Sequence, residues 1–170
     1  MSDGSLKLRG RVAAVLGDNI DTDLIYPGRY LNVTDREKTA EHLFELAWPE
    51  IRANLRSGEF IVGGKNFGCG SSREQAAAAL KFAGAGGVIA ASFARIFYRN
   101  AINLGLPAVV APDASLACAA GDELEIDLAA GEIRNLTKDR VLRAAALDPR
   151  AVGLLEAGGL IPYLKRKYAA

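Results

Sequence analysis

Apolar positions along the chain change period from one region to the next. From Leu6 to Leu16, Leu6, Leu8 and Val12 first alternate with Lys7, Arg9 and Arg11, and the apolar run Ala13-Ala14-Val15-Leu16 follows. This pattern predicts a first strand. Farther on, Phe60-Ile61-Val62, Val88 to Ala91 and Leu106 to Val110 are short apolar runs bounded by turn formers, the mark of buried strands. Between them lie two helical stretches. One is alanine-rich, from Ser72 to about Ala83, and closes at Gly84; the other is amphipathic, from Ala94 to Leu104, and closes at Gly105. A strand–helix–strand–helix–strand order predicts a parallel α/β core.

The remaining segments decorate that core. Asp18-Asn19-Ile20-Asp21-Thr22-Asp23 is too dense in turn formers to continue the first strand. Thr34-Asp35-Arg36-Glu37 has the form of a capping box, which predicts a helix from Thr34 through Ala47. Pro49 opens a second short helix that Gly58 ends. Glu123 to Leu128 alternates strictly, Ala130-Gly131 turns, and Glu132 to Leu136 returns as a hairpin partner. Asp148 to Tyr168 reads as one or two closing helices, broken near Gly158-Gly159 and Pro162. With no internal repeat and no low-complexity linker, residues 1–170 are expected to form a single domain carrying the hairpin as an addition.

Composition narrows the function classes. The 21 basic and 20 acidic side chains nearly cancel, so there is no electrostatic reason to expect nucleic acid or an anionic membrane as partner. Lys165-Arg166-Lys167 reads as a solvated helix end. No apolar run approaches a membrane span, and the polar start Met1-Ser2-Asp3-Gly4-Ser5 does not resemble a signal peptide, so a cytoplasmic location is expected. Two cysteines, Cys69 and Cys118, and one histidine, His42, cannot readily supply a tetrahedral zinc site or a cubane cluster. No metal is expected on this chain alone; a metal in the reaction must come from a partner or rest on carboxylates.

The chemistry concentrates in the loop from Gly63 to Glu74. Its glycines free the backbone for positive φ and close approach to a ligand. The loop leaves a buried strand and opens a helix, a geometry that receives anions, and Arg73 adds a planar fork of donors for a carboxylate or phosphate. Gly68-Cys69-Gly70 starts like a dinucleotide fingerprint, but Arg73 stands where the third glycine belongs. No Gly-Lys-Ser/Thr follows for a P-loop, and Ser71 lacks the second glycine of a nucleophile elbow. Ser71-Ser72-Arg73-Glu74 is also a capping box, with Ser71 as N-cap. Capping and catalysis are compatible, because a hydroxyl at a helix start is where an alkoxide costs least.

At these residues the chain resembles a known family. Gly70-Ser71-Ser72-Arg73-Glu74 and Ser92-Phe93-Ala94-Arg95-Ile96 look like segments of the mobile domain of the aconitase superfamily. Asp18 to Asp23 and Gly63 to Gly70 are similar to the small subunits of the isopropylmalate dehydratase and homoaconitase group, where that domain is a separate chain. The matches run in order over about Val15 to Pro107. The resemblance implies a swivelling β/β/α fold and a hydro-lyase that isomerises a small hydroxy-dicarboxylate by dehydration and rehydration. It implies a [4Fe-4S] cluster in a separate large subunit, with none bound by this chain. It also implies that Ser71 is the base, that Arg73 and Ser72 bind the substrate, and that Asp23 belongs to the active site. Cys69 is then a small loop residue.

By the same resemblance, the loop after Tyr30-Leu31 faces the variable substituent, which brings in Asn32, Val33 and Thr34. Relatives acting on an extra carboxylate carry arginine just after that pair; here Asn32 stands there. A third carboxylate buried against Val33 without a partner is costly, which favours an isopropyl or smaller alkyl group. Asn32 leaves room for a methyl-substituted malate, and Arg36 keeps a homoaconitase-type substrate open. Lys65 either faces the substrate or ties down the loop, and Arg95 is expected to anchor a structural ion pair. A different class of reading is a non-catalytic anion-binding module built on the helix start and Arg73.

Overall fold

In the computed structural model, which describes residues 5–169, the first strand does more than the sequence pattern asks of it. β1 (Lys7–Val15) stands in the middle of a seven-stranded sheet, with parallel strands on one side and antiparallel strands on the other. Its second half, from Val12, pairs in parallel with β2 (Phe60–Gly63), and a register shift between Val12 and Ala14 marks the changeover. The first half, Lys7 to Arg11, pairs antiparallel with a strand from the far end of the chain, Glu123–Asp127.

Between β1 and β2 the chain makes α1 (Thr22–Ile25), a single 3₁₀ turn at Gly28–Tyr30, α2 (Arg36–Glu41) and α3 (Pro49–Asn54). After β2 come α4 (Glu74–Phe82), β3 (Gly87–Ala90), α5 (Arg95–Asn103), β4 (Ala108–Val110) and α6 (Ala114–Ala117). The antiparallel half is β5 (Glu123–Asp127), β6 (Glu132–Asn135) and β7 (Arg140–Arg143), and the chain closes with α7 (Pro149–Ala157) and α8 (Leu160–Tyr168). The strand order is β4-β3-β2-β1-β5-β6-β7.

Burial follows from that order. Every residue of β2 and β3 is buried, as expected for parallel strands covered on both faces. In α4, Ala76 to Leu80 are all buried, and alanine lets this helix approach its neighbours closely. In β5, Leu124 and Ile126 point into the core while Glu123, Glu125 and Asp127 do not, the alternation of a sheet with one covered face. Lys165, Arg166 and Lys167 are exposed in the last turn of α8, where positive charge suits the helix dipole.

Three expectations are corrected. The helix expected over Thr34–Ala47 is capped by Asp35, whose carboxylate accepts from the Lys38 N–H at 3.0 Å, and ends at Glu41. It ends there because Phe44 takes a left-handed conformation (φ 55°), hydrogen-bonds the Ile25 carbonyl and buries its ring completely. The hairpin after Pro112 gains a third strand, β7, and forms half of the main sheet through β5 and β1. The capping box at Ser71 is not formed: Arg73 is the N-cap of α4, without a side-chain cap bond. Met1 to Gly4, most of the polar start, lie outside the described residues.

A polar knot ties the end of α6 to the start of β5 and the end of β6. Asp122, whose side chain is 7 % exposed, accepts from Asn135 Nδ2 at 2.8 Å and from the Ala119 N–H at 2.9 Å, with Lys138 Nζ at 3.3 Å. The Asn135 hydrogen bond, with help from Ala119 and Lys138, holds the Asp122 carboxyl below the usual carboxylate range. Replacing Asp122 with alanine leaves the buried Asn135 Nδ2 with only its long 3.4 Å bond to the Ala117 carbonyl, and should cost about 1–3 kcal/mol at pH 7. A folded pKa below the unfolded one adds stability above the unfolded value and loses it as pH falls through the folded value. The deficit of Asp122→Ala in urea unfolding should therefore shrink as pH drops below about 4.

Candidate active site

The site is assembled where the loop after β2 lies beside the loop after β1. The two run alongside each other through main-chain bonds: Gly68 N–H to Ile20 O at 2.7 Å, Thr22 N–H to Cys69 O at 2.8 Å, and Asn19 N–H to Lys65 O at 2.8 Å. Asp18 accepts from the Lys65 N–H at 2.7 Å, and the buried Thr22 hydroxyl donates to the Ser71 carbonyl at 2.9 Å. Below the loop, Phe67, Phe93 and Phe97 pack with ring centroids 5.4–6.1 Å apart. Gly68 has φ +82° and sits against the Phe97 ring where a Cβ would be, so only glycine fits. The Ser-Phe-Ala-Arg-Ile segment thus supplies the floor of the loop.

These attachments explain why the local capping box fails. Gly70 is left-handed (φ 92°) and Cys69 forms a bridge with Asp21, so the chain bends at Gly70 and Ser71, is extended at Arg73, and begins its helix only at Glu74. Ser71 lies two residues ahead of the N-cap. Its side chain is exposed, and its hydroxyl makes no hydrogen bond among the described residues.

Arg73 is held firmly. Its guanidinium donates to Asp23 Oδ1 at 2.9 Å, and Asp23 also accepts from the Gly28 N–H at 2.8 Å. The Arg73 hydrogen bond, then the Gly28 N–H, keep the Asp23 carboxyl below the usual carboxylate range. Gly28 leaves the room the fork needs: a Cβ there would stand 3.0 Å from both terminal nitrogens. A shallow pocket of about 300 Å³ opens beside the fork, walled by Thr22, Ser71, Ser72, Arg73, Arg95 and Ile96. Arg95 makes no ion pair among the described residues and lines this pocket, against the expectation of a structural pair.

The structure therefore brings Ser71, Ser72, Arg73 and Asp23 together. Asn32, Val33 and Thr34 lie on the neighbouring turn after the 3₁₀ segment, with Asn32 and Thr34 exposed. That turn is linked to the start of α4 by Gln75 Nε2, 3.5 Å from the Leu31 carbonyl. Lys65 is exposed, and its main chain ties the two loops together through Asp18 and Asn19. Thr22, Gly28 and Phe97 were not among the expected site residues. The signal for them was a hydroxyl in the Asp18–Asp23 turn, a glycine after Pro27, and an aromatic just past the Arg95-Ile96 pair.

Among the described residues no group of three His, Cys, Asp or Glu side chains is placed to hold a metal ion. Cys118 is buried, and burial raises its thiol pKa, while Cys69 sits in the loop. The residues present do not fit a cubane cluster. No helix among the described residues is long and apolar enough to cross a membrane.

Residues 18–113, which contain the whole loop pair, match the family described as the aconitase C-terminal domain. The chain belongs to that family. It is 54 % identical over 151 residues to the 3-isopropylmalate dehydratase small subunit of Moorella thermoacetica, covering 89 % of this chain and 91 % of that one. It is 52 % identical to the isopropylmalate/citramalate isomerase small subunit of Methanocaldococcus jannaschii, covering 95 % and 96 %. A methanogen homoaconitase small subunit from Methanothermobacter thermautotrophicus is also 52 % identical, covering 93 % and 91 %. Among solved structures, a crystal structure of 3-isopropylmalate dehydratase from Methanocaldococcus jannaschii superposes with a TM-score of 0.89 at 42 % identity, covering 96 % of each chain. The swivel-type α/β fold of the aconitase family is thus this chain's fold.

Proposed function

We propose that this chain is the small subunit of a hydro-lyase that interconverts 2-isopropylmalate and 3-isopropylmalate in leucine biosynthesis, with a cluster-bearing large subunit as partner. The observation that carries the reading is near-full-length identity of about half to small subunits so named, together with the Ser71–Arg73–Asp23 arrangement. Arg73 takes the substrate carboxylate and orients the neighbouring C–H toward Ser71. Ser71, as the alkoxide, accepts that proton and becomes a neutral hydroxyl; the C–H electron pair forms the alkene as the adjacent C–O bond breaks and the oxygen leaves as hydroxide. Return of hydroxide to the other carbon, with Ser71 giving its proton back to the carbon that lost the oxygen, yields the isomer. The Arg73 charge favours the alkoxide, and its pull strengthens when the pocket is covered and the local dielectric falls. The chain is expected to act in the cytoplasm.

The substituent is read from the turn at Asn32–Thr34. No arginine stands there, and Val33 offers an apolar contact, which supports an alkyl group over a carboxylate. The relatives named for citramalate and homoaconitase keep a methyl-substituted malate and homoaconitate as the rivals to be tested. The test is turnover by the chain assembled with its large subunit, on isopropylmalate, a methyl-substituted malate and homoaconitate. Isopropylmalate should have the highest kcat/KM. Asn32→Arg should lower it about tenfold for isopropylmalate and raise it for the tricarboxylate. A wild-type complex that prefers homoaconitate would overturn the assignment.

A further inference from the structure

The turn assigned to the substituent makes few contacts of its own; the residue ahead of it makes many. The Tyr30 ring lies parallel to the His42 imidazole, with centroids 3.5 Å apart and planes 7° apart, and the Arg29 guanidinium lies 4.9 Å from the Tyr30 centroid. The Tyr30 hydroxyl donates to Glu45 Oε1 at 3.2 Å. Its carbonyl accepts from the Tyr26 hydroxyl at 2.8 Å and from the Val33 N–H at 2.9 Å.

Glu45 is the hub of this cluster. Its carboxylate also takes Arg29 at 3.0 Å and stands 3.2 Å from His42 Nδ1. Desolvation opposes its charge, but hydrogen bonds from Arg29, Tyr30 and His42 together hold its carboxyl below the usual range. His42 and Glu45 flank the fully buried Leu43 and Phe44, so the hub is rooted in the core. A two-residue turn on the surface does not need a stack, a buried tyrosine and a three-way carboxylate to hold it. A turn that must present side chains to a ligand at fixed positions does.

We propose that Glu45 and His42 are positioning residues for substituent selection. They clamp Tyr30, and through it they set where Asn32 and Val33 stand relative to the pocket at Ser71. This rests on the preceding reading that the turn faces the substituent. Selection then depends on a cluster that need not touch substrate, and relatives with the same turn sequence could differ in preference through changes at the clamp.

The test uses the chain assembled with its large subunit, with His42→Ala, Glu45→Gln and His42→Phe. Losing the stack should raise KM for isopropylmalate about tenfold with little change in kcat, and affect a methyl-substituted malate much less. His42→Phe, which keeps an aromatic face against Tyr30, should restore the wild-type ratio between the two substrates. Amide exchange over residues 31–34 should quicken about tenfold in His42→Ala, while that of residues 68–74 stays as in wild type. Equal loss on both substrates would reduce the cluster to a structural support and overturn the inference, as would unchanged exchange in the turn. A wild-type complex inactive on both malates would sink the functional reading instead. The exchange measurement would still decide whether the clamp holds the turn.

Discussion

Ser71→Ala is expected to lower kcat of the assembled enzyme by about 10³-fold or more, with KM within about twofold of wild type, because a general base acts chiefly in the transition state. The structure makes this substitution unusually clean to interpret. What Ser71 contributes to the fold passes through its main chain, since its carbonyl receives the Thr22 hydroxyl. Its own hydroxyl lies exposed and holds nothing in place among the described residues. Alanine should therefore leave stability within about 0.5 kcal/mol, as for surface sites without special contacts. A rate loss could then be assigned to chemistry. Ser72→Ala is the comparison: Ser72 lines the same pocket and is read as a substrate contact, so its loss should raise KM rather than lower kcat. Turnover by Ser71→Ala near the wild-type rate, or an equal loss of kcat in Ser72→Ala, would remove Ser71 from the role of base.

How much of this could be read from the chain alone depends on the range of the contact involved. The strands β2, β3 and β4 and the two helices between them were legible because each is a short run bounded by glycine or proline. Local pattern failed wherever a distant contact outweighed it. Ser71-Ser72-Arg73-Glu74 is a good capping box in isolation. The bonds from Thr22 to Cys69 and Ser71, about fifty positions away in sequence, hold the segment out of the helix. The helix after Thr34 stops early for a similar reason, the capture of Phe44 by Ile25. β7 escaped notice because Arg140-Val141-Leu142-Arg143 has only two apolar residues and lies at the sheet edge, with Val141 63 % exposed.

The site divides in the same way. Glycines, serines and an arginine at one loop announce an anion-receptive turn, and that much is local. The pairing of Arg73 with Asp23 spans 50 residues, and no spacing rule leads to it; the family resemblance placed both residues in one active site. The Tyr30–His42–Glu45 cluster carries no motif at all. It emerges only when the turn after Glu41 folds back onto the 3₁₀ segment.

Arg73→Lys is expected to reduce kcat/KM by about 10²-fold, close to 2.7 kcal/mol, although charge is conserved. The arginine has two tasks that its planar fork performs together. One terminal nitrogen is committed to Asp23, and the remaining donors are left for a carboxylate in the pocket. A lysine ammonium is a single point on a flexible stem, so near Asp23 it would satisfy that carboxylate and abandon the substrate. The space kept open by Gly28 is shaped to the flat guanidinium, so the shorter, rounder group would leave part of it unfilled. Asp23 then sets the acid limit of the arrangement. Its pKa is lowered chiefly by the Arg73 hydrogen bond, so the pair persists to lower pH than an unpartnered aspartate would allow. In Arg73→Lys the two-point hold is gone, and Asp23 should titrate closer to its ordinary value of about 3.9, visible by NMR of the labelled carboxyl. Kinetics within about threefold of wild type would move the carboxylate clamp to Arg95, the other arginine on the pocket wall.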